Sequence, residues 1–278
     1  MTSISAITPM VANAPIGVFD SGVGGLSVLR HIRAHLPNEH LVYFSDAQFA
    51  PYGHRPAAEI EARALAIGAY LIQRGVKAIV VACNTATAVA IAALRGASPG
   101  LILIGVEPGL KPAAAASPKK IVGVLATPVT LASERFALLR EQISASTGAT
   151  FLLQPCPGLV EQIEAGALDT DATISLLRTY VLSLLTRGAD TLVLGCTHYP
   201  FLLPQIQAIV AANATQPIQI IDTGAAVTRQ LTHRLAQCQM LSKAPNGALE
   251  GVTSGTVEAL QTAIANLLHE KVCVTQMA

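Results

Sequence analysis

Eight short aliphatic runs limit the folds open to this chain: residues 16–19, 41–44, 78–82, 101–106, 121–125, 150–153, 191–195 and 218–221. Runs of Val, Ile and Leu without polar alternation read as strands buried on both faces, as in a parallel sheet. Stretches with helical spacing separate them. Leu26, Leu29 and Ile32 begin one that Pro37 ends, Ile60, Ala64, Ile67 and Leu71 mark another over 57–74, and a third is expected near 86–95. Strands alternating with helices imply parallel sheets joined by right-handed crossovers, with ligands bound beyond the carboxyl ends of the strands. Four runs fall in each half, and the polar loops after them follow in matched order. Asp20-Ser21 answers to residues 127–130, the Tyr52 loop to 156–161, Cys83-Asn84-Thr85 to Cys196-Thr197-His198, and Glu107-Pro108-Gly109 to Asp222-Thr223-Gly224. The expected fold is α/β, with two similar three-layer domains, mainly parallel sheets, a pseudo-twofold relation and an active site in the cleft between them.

Composition narrows the function. The hydrophobic fraction is 51% and the charged fraction 13%, which suits a globular chain with a large core. Aromatics are 4% with no Trp, so that core is Ala, Val, Leu and Ile. A length of 278 residues allows two domains of ordinary size. A net charge of +1, without a Lys/Arg run or an aromatic–basic platform, argues against nucleic-acid binding. No uncharged apolar stretch reaches the roughly 18 residues of a membrane span, and residues 1–15 read as a polar, flexible extension rather than a secretory signal. The five cysteines are widely spaced with no CxxC pair, which fits a reducing, cytoplasmic setting.

Two of those cysteines, Cys83 and Cys196, stand at the ends of matched strands and are followed at once by hydrogen-bonding side chains. One thiol on each face of a flat carbanion is the geometry that inverts a stereocentre: one sulfur removes the α-proton and the other returns one. A thiol suits both roles because its pKa, near 8.5, is close to neutrality and open to tuning. Asp20 and His198 are candidates for orienting or charging the thiols. Ser21, Asn84, Thr85, Thr130 and Thr197, with backbone N–H groups at helix starts, are donors suited to carboxylates.

The segments Asp20-Ser21-Gly22-Val23-Gly24-Gly25-Leu26-Ser27, Pro51-Tyr52-Gly53, Val81-Ala82-Cys83-Asn84-Thr85-Ala86, Leu194-Gly195-Cys196-Thr197-His198-Tyr199-Pro200 and Asp222-Thr223-Gly224-Ala225-Ala226 together resemble the glutamate racemases, within the wider aspartate/glutamate racemase superfamily. The resemblance spans about residues 16–230. It implies a cofactor-independent enzyme, with no metal, that makes D-glutamate for peptidoglycan. It assigns Cys83 to deprotonation of D-glutamate and Cys196 to that of L-glutamate, with Asp20 assisting the first and His198 the second. It makes Glu161 the glutamate near the second cysteine, and gives substrate contacts to Asp20, Ser21, Tyr52, Gly53, Asn84, Thr85, Thr130, Thr197 and His198. Pro128-Val129-Thr130 departs from the family, which more often has glycine before the threonine. The family fold implies a first domain of 1–107 with 223–278 and a second of 108–222. It also implies a homodimer, and the N-terminal extension raises a peptidoglycan precursor as an activator.

Other readings compete. A cysteine after a buried strand is commonly a small core residue, and Cys156, Cys238 and Cys273, without matched partners, are given a structural role. Asp20 could cap the helix that follows it. Gly22, Gly24 and Gly25 resemble a dinucleotide loop, but Ser27 stands where the full pattern needs glycine. Zinc on Cys83, Cys196, His198 and Asp20 is chemically conceivable, yet it would occupy the thiols that must shuttle protons. An aspartate racemase of the same superfamily and a non-catalytic two-lobed ligand-binding or regulatory protein are the remaining alternatives.

Overall fold

A computed structural model describes residues 11–277; of the extension expected over 1–15, residues 1–10 lie outside the described residues. The first half of the chain runs β1 (Ile16–Asp20), α1 (Leu26–His35), β2 (Leu41–Ser45), α2 (Ala57–Gln73), β3 (Ala78–Val81), α3 (Asn84–Ala97) and β4 (Ile102–Gly105). Next come α4 (Leu110–Ala116), β5 (Ile121–Ala126), α5 (Pro128–Ala132), α6 (Glu134–Thr147), β6 (Thr150–Pro155), α7 (Leu159–Glu164), α8 (Asp171–Thr186), β7 (Thr191–Leu194), α9 (Leu203–Asn213) and β8 (Gln219–Ile221). The last segment adds α10 (Gly224–Gln237), β9 (Leu249–Thr253), α11 (Val257–Leu268) and β10 (Cys273–Gln276).

The strands form two sheets, ordered β10-β9-β2-β1-β3-β4 and β6-β5-β7-β8, and every neighbouring pair is parallel. Within each half the order is second, first, third, fourth strand, so the repeat inferred from the loops is a repeat of topology. The expectation of four strands per half needs correcting for the first sheet, which has six because β9 and β10 join it at the β2 edge.

Both sheets are covered on both faces because successive strand residues point to opposite sides. Ile16 and Val18 pack with Leu29 of α1, Leu231 of α10 and Ile264 of α11, whereas Phe19 packs with Ile60 and Ile67 of α2 and Ile91 of α3. In the second sheet Leu192 and Leu194 meet Leu177 and Leu184 of α8 and Ile206 of α9, while Val122 and Val124 meet Leu110 of α4 and Phe136 of α6. Full burial of each such aliphatic side chain contributes about 1.5–3 kcal/mol. These layers set the carboxyl ends of β1, β3, β5 and β7 around one cleft. The chain passes between the sheets twice, at 106–109 and 222–223. The passages lie side by side, for a Cβ on Gly109 would stand 2.8 Å from Ile221.

At the opposite, amino-terminal edge of the first sheet lies a buried ion pair. Lys77 Nζ sits 2.5 Å from Glu39 Oε2, both residues almost wholly buried. Lys77 also donates to the carbonyls of Met240 (2.8 Å) and Ala12, and Glu39 Oε1 accepts the Ser242 N–H (2.8 Å). The pair ties the β2 and β3 entrances to the returning segment. Breaking such a pair strands a charge, so Lys77→Met should lower unfolding stability by about 3–5 kcal/mol. Adding Glu39→Gln should recover part of it, read from urea denaturation midpoints; an unshifted midpoint for the single variant would refute the account.

Candidate active site

The loop after β1 turns back on itself around Asp20. The Gly22 N–H donates to Asp20 Oδ2 (3.0 Å), the Tyr43 hydroxyl donates to the Gly22 carbonyl (2.8 Å), and Asp20 Oδ1 has no partner among the described residues. Burial raises the Asp20 pKa, against the opposing charge of His198. Ser27, at the start of α1, reaches two carbonyls with its hydroxyl, Gly24 at 2.9 Å and Thr197 at 2.7 Å. The second of these belongs to the loop after β7, so the hydroxyl joins the two halves.

Cys83 is the N-cap of α3, with extended backbone, and its Sγ accepts the Ala86 N–H at 3.4 Å. Its sulfur is 3.8 Å from Ser21 Oγ. Burial pushes the thiol up, and the charges of Asp20 and Cys196 push it further. The helix start acts the other way, since its N–H groups favour a thiolate. Asn84 is buried, and neither its side-chain oxygen nor its nitrogen has a partner among the described residues.

Cys196 follows β7 and is equally enclosed, at 6% exposure against 5% for Cys83. Its Sγ lies 3.6 Å from His198 Nδ1, and His198 Nε2 lies 2.5 Å from Glu164 Oε1. That oxygen also accepts the N–H of Val23, from the first half, at 2.9 Å. Burial works to lower the His198 pKa, but the contacts with Cys196 and Glu164 outweigh it and hold the ring well above the ordinary imidazole value. Burial likewise opposes charge on Glu164, yet His198 keeps its pKa below the usual carboxylate value. The pair is therefore imidazolium and carboxylate. Two glycines permit this approach: a Cβ on Gly24 would fall 2.2 Å from His198 Nδ1, and one on Gly22 would fall 2.0 Å from Glu164 Oε1.

Glu161, expected from the sequence near the second cysteine, is not the α7 glutamate that meets His198. Glu161 Oε1 pairs instead with His54 Nε2 at 2.6 Å, with both side chains more than a third exposed. Glu164, one turn later and just ahead of the left-handed Gly166, is the one that turns inward to His198. Both glutamates lie on one short helix, and spacing alone did not separate them.

Across the cleft, three hydroxyls form a triangle. Thr85 Oγ1, from α3, is 3.1 Å from Thr127 Oγ1 and 3.4 Å from Thr130 Oγ1, and the Thr127 and Thr130 hydroxyls are 2.9 Å apart. Thr127 caps α5 by accepting the Thr130 N–H at 3.2 Å. It was not singled out in the sequence, although an N-cap Thr before Pro128 was a readable signal. Gly53 packs against Thr127, at 3.5 Å from the position its Cβ would take. The Tyr52 hydroxyl donates to Asp46 Oδ2 at 2.5 Å, so its proton is committed to that carboxylate. Thr197 is buried and is anchored through its carbonyl.

Asp20, Glu164 and His198 bring potential cation-binding atoms within 4.8 Å of one another. Both ring nitrogens of His198 already face protein partners, Cys196 Sγ and Glu164 Oε1. A separate groove of about 760 Å³ lies along β4 and α10, beside the two chain passages, and holds neither thiol. Arg95, Lys111 and Arg234 line it, with Glu107 and Thr223. No helix among the described residues is long and apolar enough to cross a membrane.

Comparison with known proteins agrees with the fold. The glutamate racemase of Ectopseudomonas mendocina is 50% identical over 260 residues, covering 94% of this chain and 97% of that protein. Among solved structures, a glutamate racemase isoform of Bacillus anthracis superposes with a TM-score of 0.87 at 30% identity, covering 96% of this chain and 98% of the other. The Escherichia coli glutamate racemase, solved with L-glutamate and the activator UDP-MurNAc-Ala, superposes with a TM-score of 0.81 at 30% identity over 95% of this chain and 98% of its own. The family model for Asp/Glu/hydantoin racemases matches residues 16–231, from the start of β1 to within α10. That span takes in both cysteine loops, β1 to β4 of the first sheet and the whole second sheet, and the chain belongs to the Asp/Glu/hydantoin racemase family.

Proposed function

We propose that the chain is a glutamate racemase that interconverts L- and D-glutamate with two thiols and no cofactor, supplying D-glutamate for peptidoglycan in the cytoplasm. The observation that carries this is the pair of enclosed sulfurs, one at a carboxyl end of each sheet, each with its own polar partner. Glutamate bound between them presents its α-hydrogen to one sulfur. With L-glutamate, Cys196 takes the proton as a thiolate while the His198 imidazolium balances its charge, and Cys83 delivers its own proton to the other face. With D-glutamate the roles exchange. Asp20, whose raised pKa suits it to proton exchange, takes the Cys83 proton, and the α3 N-terminus steadies the thiolate. Asn84, Thr85, Thr130, Thr197, Ser21 and the Tyr52–Gly53 turn supply donors to the two carboxylates; Glu164 takes the place first given to Glu161, as the positioning residue for His198.

The same reading divides the chain into 1–107 with 223–278 and 108–222, supported by sheet membership. It includes a homodimer, testable by sedimentation velocity. It also assigns the β4–α10 groove to an anionic activator, because three cations face one carboxylate there. UDP-MurNAc-Ala should raise kcat/KM, and Lys111→Glu should remove that response. An equal response in the variant would dissociate the groove from activation.

Purified protein incubated with L-glutamate in D₂O should form D-glutamate carrying α-deuterium, with chelators making no difference. Cys83→Ala and Cys196→Ala should each lose racemisation by about 10³-fold or more while remaining folded, in keeping with loss of an acid/base group. Full turnover by either variant would sink the two-thiol mechanism.

The Glu164–His198 pair makes a separate pH prediction. Activity that needs the imidazolium is present below the His198 pKa and lost above it. Glu164→Gln removes a group that raises this pKa, so the alkaline limb of the L-to-D kcat/KM profile should move to lower pH. An unmoved limb would deny His198 the role.

A further inference from the structure

We propose that Arg63 is a positioning residue for substrate binding, acting through Asp46 to fix the Tyr52–Gly53 turn at the rim of the cleft; the inference rests on the racemase reading above. The three side chains are remote in sequence logic: Asp46 and Tyr52 lie in the loop after β2, and Arg63 is in the middle of α2. In space they form one hydrogen-bonded unit. Arg63 Nη2 donates to Asp46 Oδ1 at 2.7 Å and Arg63 Nε to Asp46 Oδ2 at 3.0 Å, a two-pronged contact that fixes the carboxylate plane. The Tyr52 hydroxyl donates to that same Oδ2 at 2.5 Å.

Asp46 is wholly buried, so its charge needs these donors. Arg63 supplies most of the compensation, and is itself held by the ring of Phe49, 4.0 Å from its guanidinium carbon. Arg55 approaches the same ring at 5.3 Å and pairs with Glu59 of α2 at 2.6 Å, so the helix straps the loop at two points. The Asp46 N–H also donates to the Asp20 carbonyl at 3.0 Å, which fastens the start of the loop to the β1 loop at the thiol site.

This arrangement decides what Tyr52 offers the cleft. Its hydroxyl has one proton, committed to Asp46, and burial beside that carboxylate raises its pKa so that the proton stays. The backbone N–H groups of Tyr52 and Gly53 have no partner among the described residues. They are the donors that this turn leaves for a substrate carboxylate. Since no group in this unit exchanges a proton with the substrate, loosening it weakens binding more than turnover.

Steady-state kinetics in both directions on Arg63→Met, Arg63→Lys, Tyr52→Phe and the double variant Arg63→Met/Asp46→Asn test this. Arg63→Met should raise the glutamate KM at least tenfold with kcat within about threefold. Arg63→Lys, which keeps the charge and loses the fork, should fall between it and the parent. Asp46→Asn added to Arg63→Met should bring KM back toward the parent value, because no buried charge is then left alone. Tyr52→Phe should raise KM and add little on top of Arg63→Met. An unchanged KM in Arg63→Met or Arg63→Lys, or a fall in kcat at constant KM, would overturn the proposal. If Arg63→Met does not fold, Arg63→Lys and Tyr52→Phe decide it by the same criterion. An inactive parent protein would instead remove the racemase reading, so the two failures are distinct.

Discussion

The Glu164 carboxylate joins the two halves of the molecule beside the second thiol. It comes from a short helix over the second sheet, accepts an N–H from the loop after the first strand, and holds the imidazole beside the second thiol. Much of the surrounding sequence follows from the room this contact requires. Side chains larger than hydrogen at Gly22 and Gly24 would occupy the space of Glu164 and His198. In a site this enclosed, a lone carboxylate or imidazolium would be strongly destabilising, whereas the pair, with the Val23 N–H, satisfies both.

The two thiols occupy unlike surroundings despite the repeated topology. Cys83 sits at a helix start beside a buried carboxyl group whose charge makes ionisation harder. Cys196 has an imidazolium 3.6 Å away. An enzyme working in both directions requires each sulfur to serve as acid and as base, and here the means differ: backbone N–H groups and a carboxyl group on one side, a charged ring on the other. The fold repeats in its two halves, but the electrostatics do not.

Much of the architecture was legible because buried parallel strands are written as unbroken aliphatic runs, and because catalytic groups in such sheets follow the strands directly. Cys83, Cys196, Asp20 and His198 all stand at or just after strand ends, which is why the sequence pointed to them. Strands β9 and β10 escaped for the opposite reason. β9 carries Glu250, which pairs at the surface with His40 and Arg74, and Gly251, against which Val274 packs; β10 is an edge strand with Val274 alone buried. Glu164 was missed because Glu161 lies one turn away on the same helix. The Asp46–Arg63 pair joins a loop to a helix, and no spacing rule connects them before the chain is folded.

The two chain passages between the sheets run side by side, with Gly109 against Ile221, and Glu107 and Thr223 lining the same groove. Two parallel tethers set close together remove twisting and sliding, and leave rotation about the line of the tethers as the one soft motion. Asn84 and Thr130 share a small cavity with Glu107 and Pro108, so an angular change at the tethers is felt directly by the loops of the cleft. Passage of substrate into a site whose thiols are about 95% covered is then set by how readily one axis turns, and the contacts of Val23 with Glu164 and of Ser27 with Thr197 are the clasps that must part for it to do so.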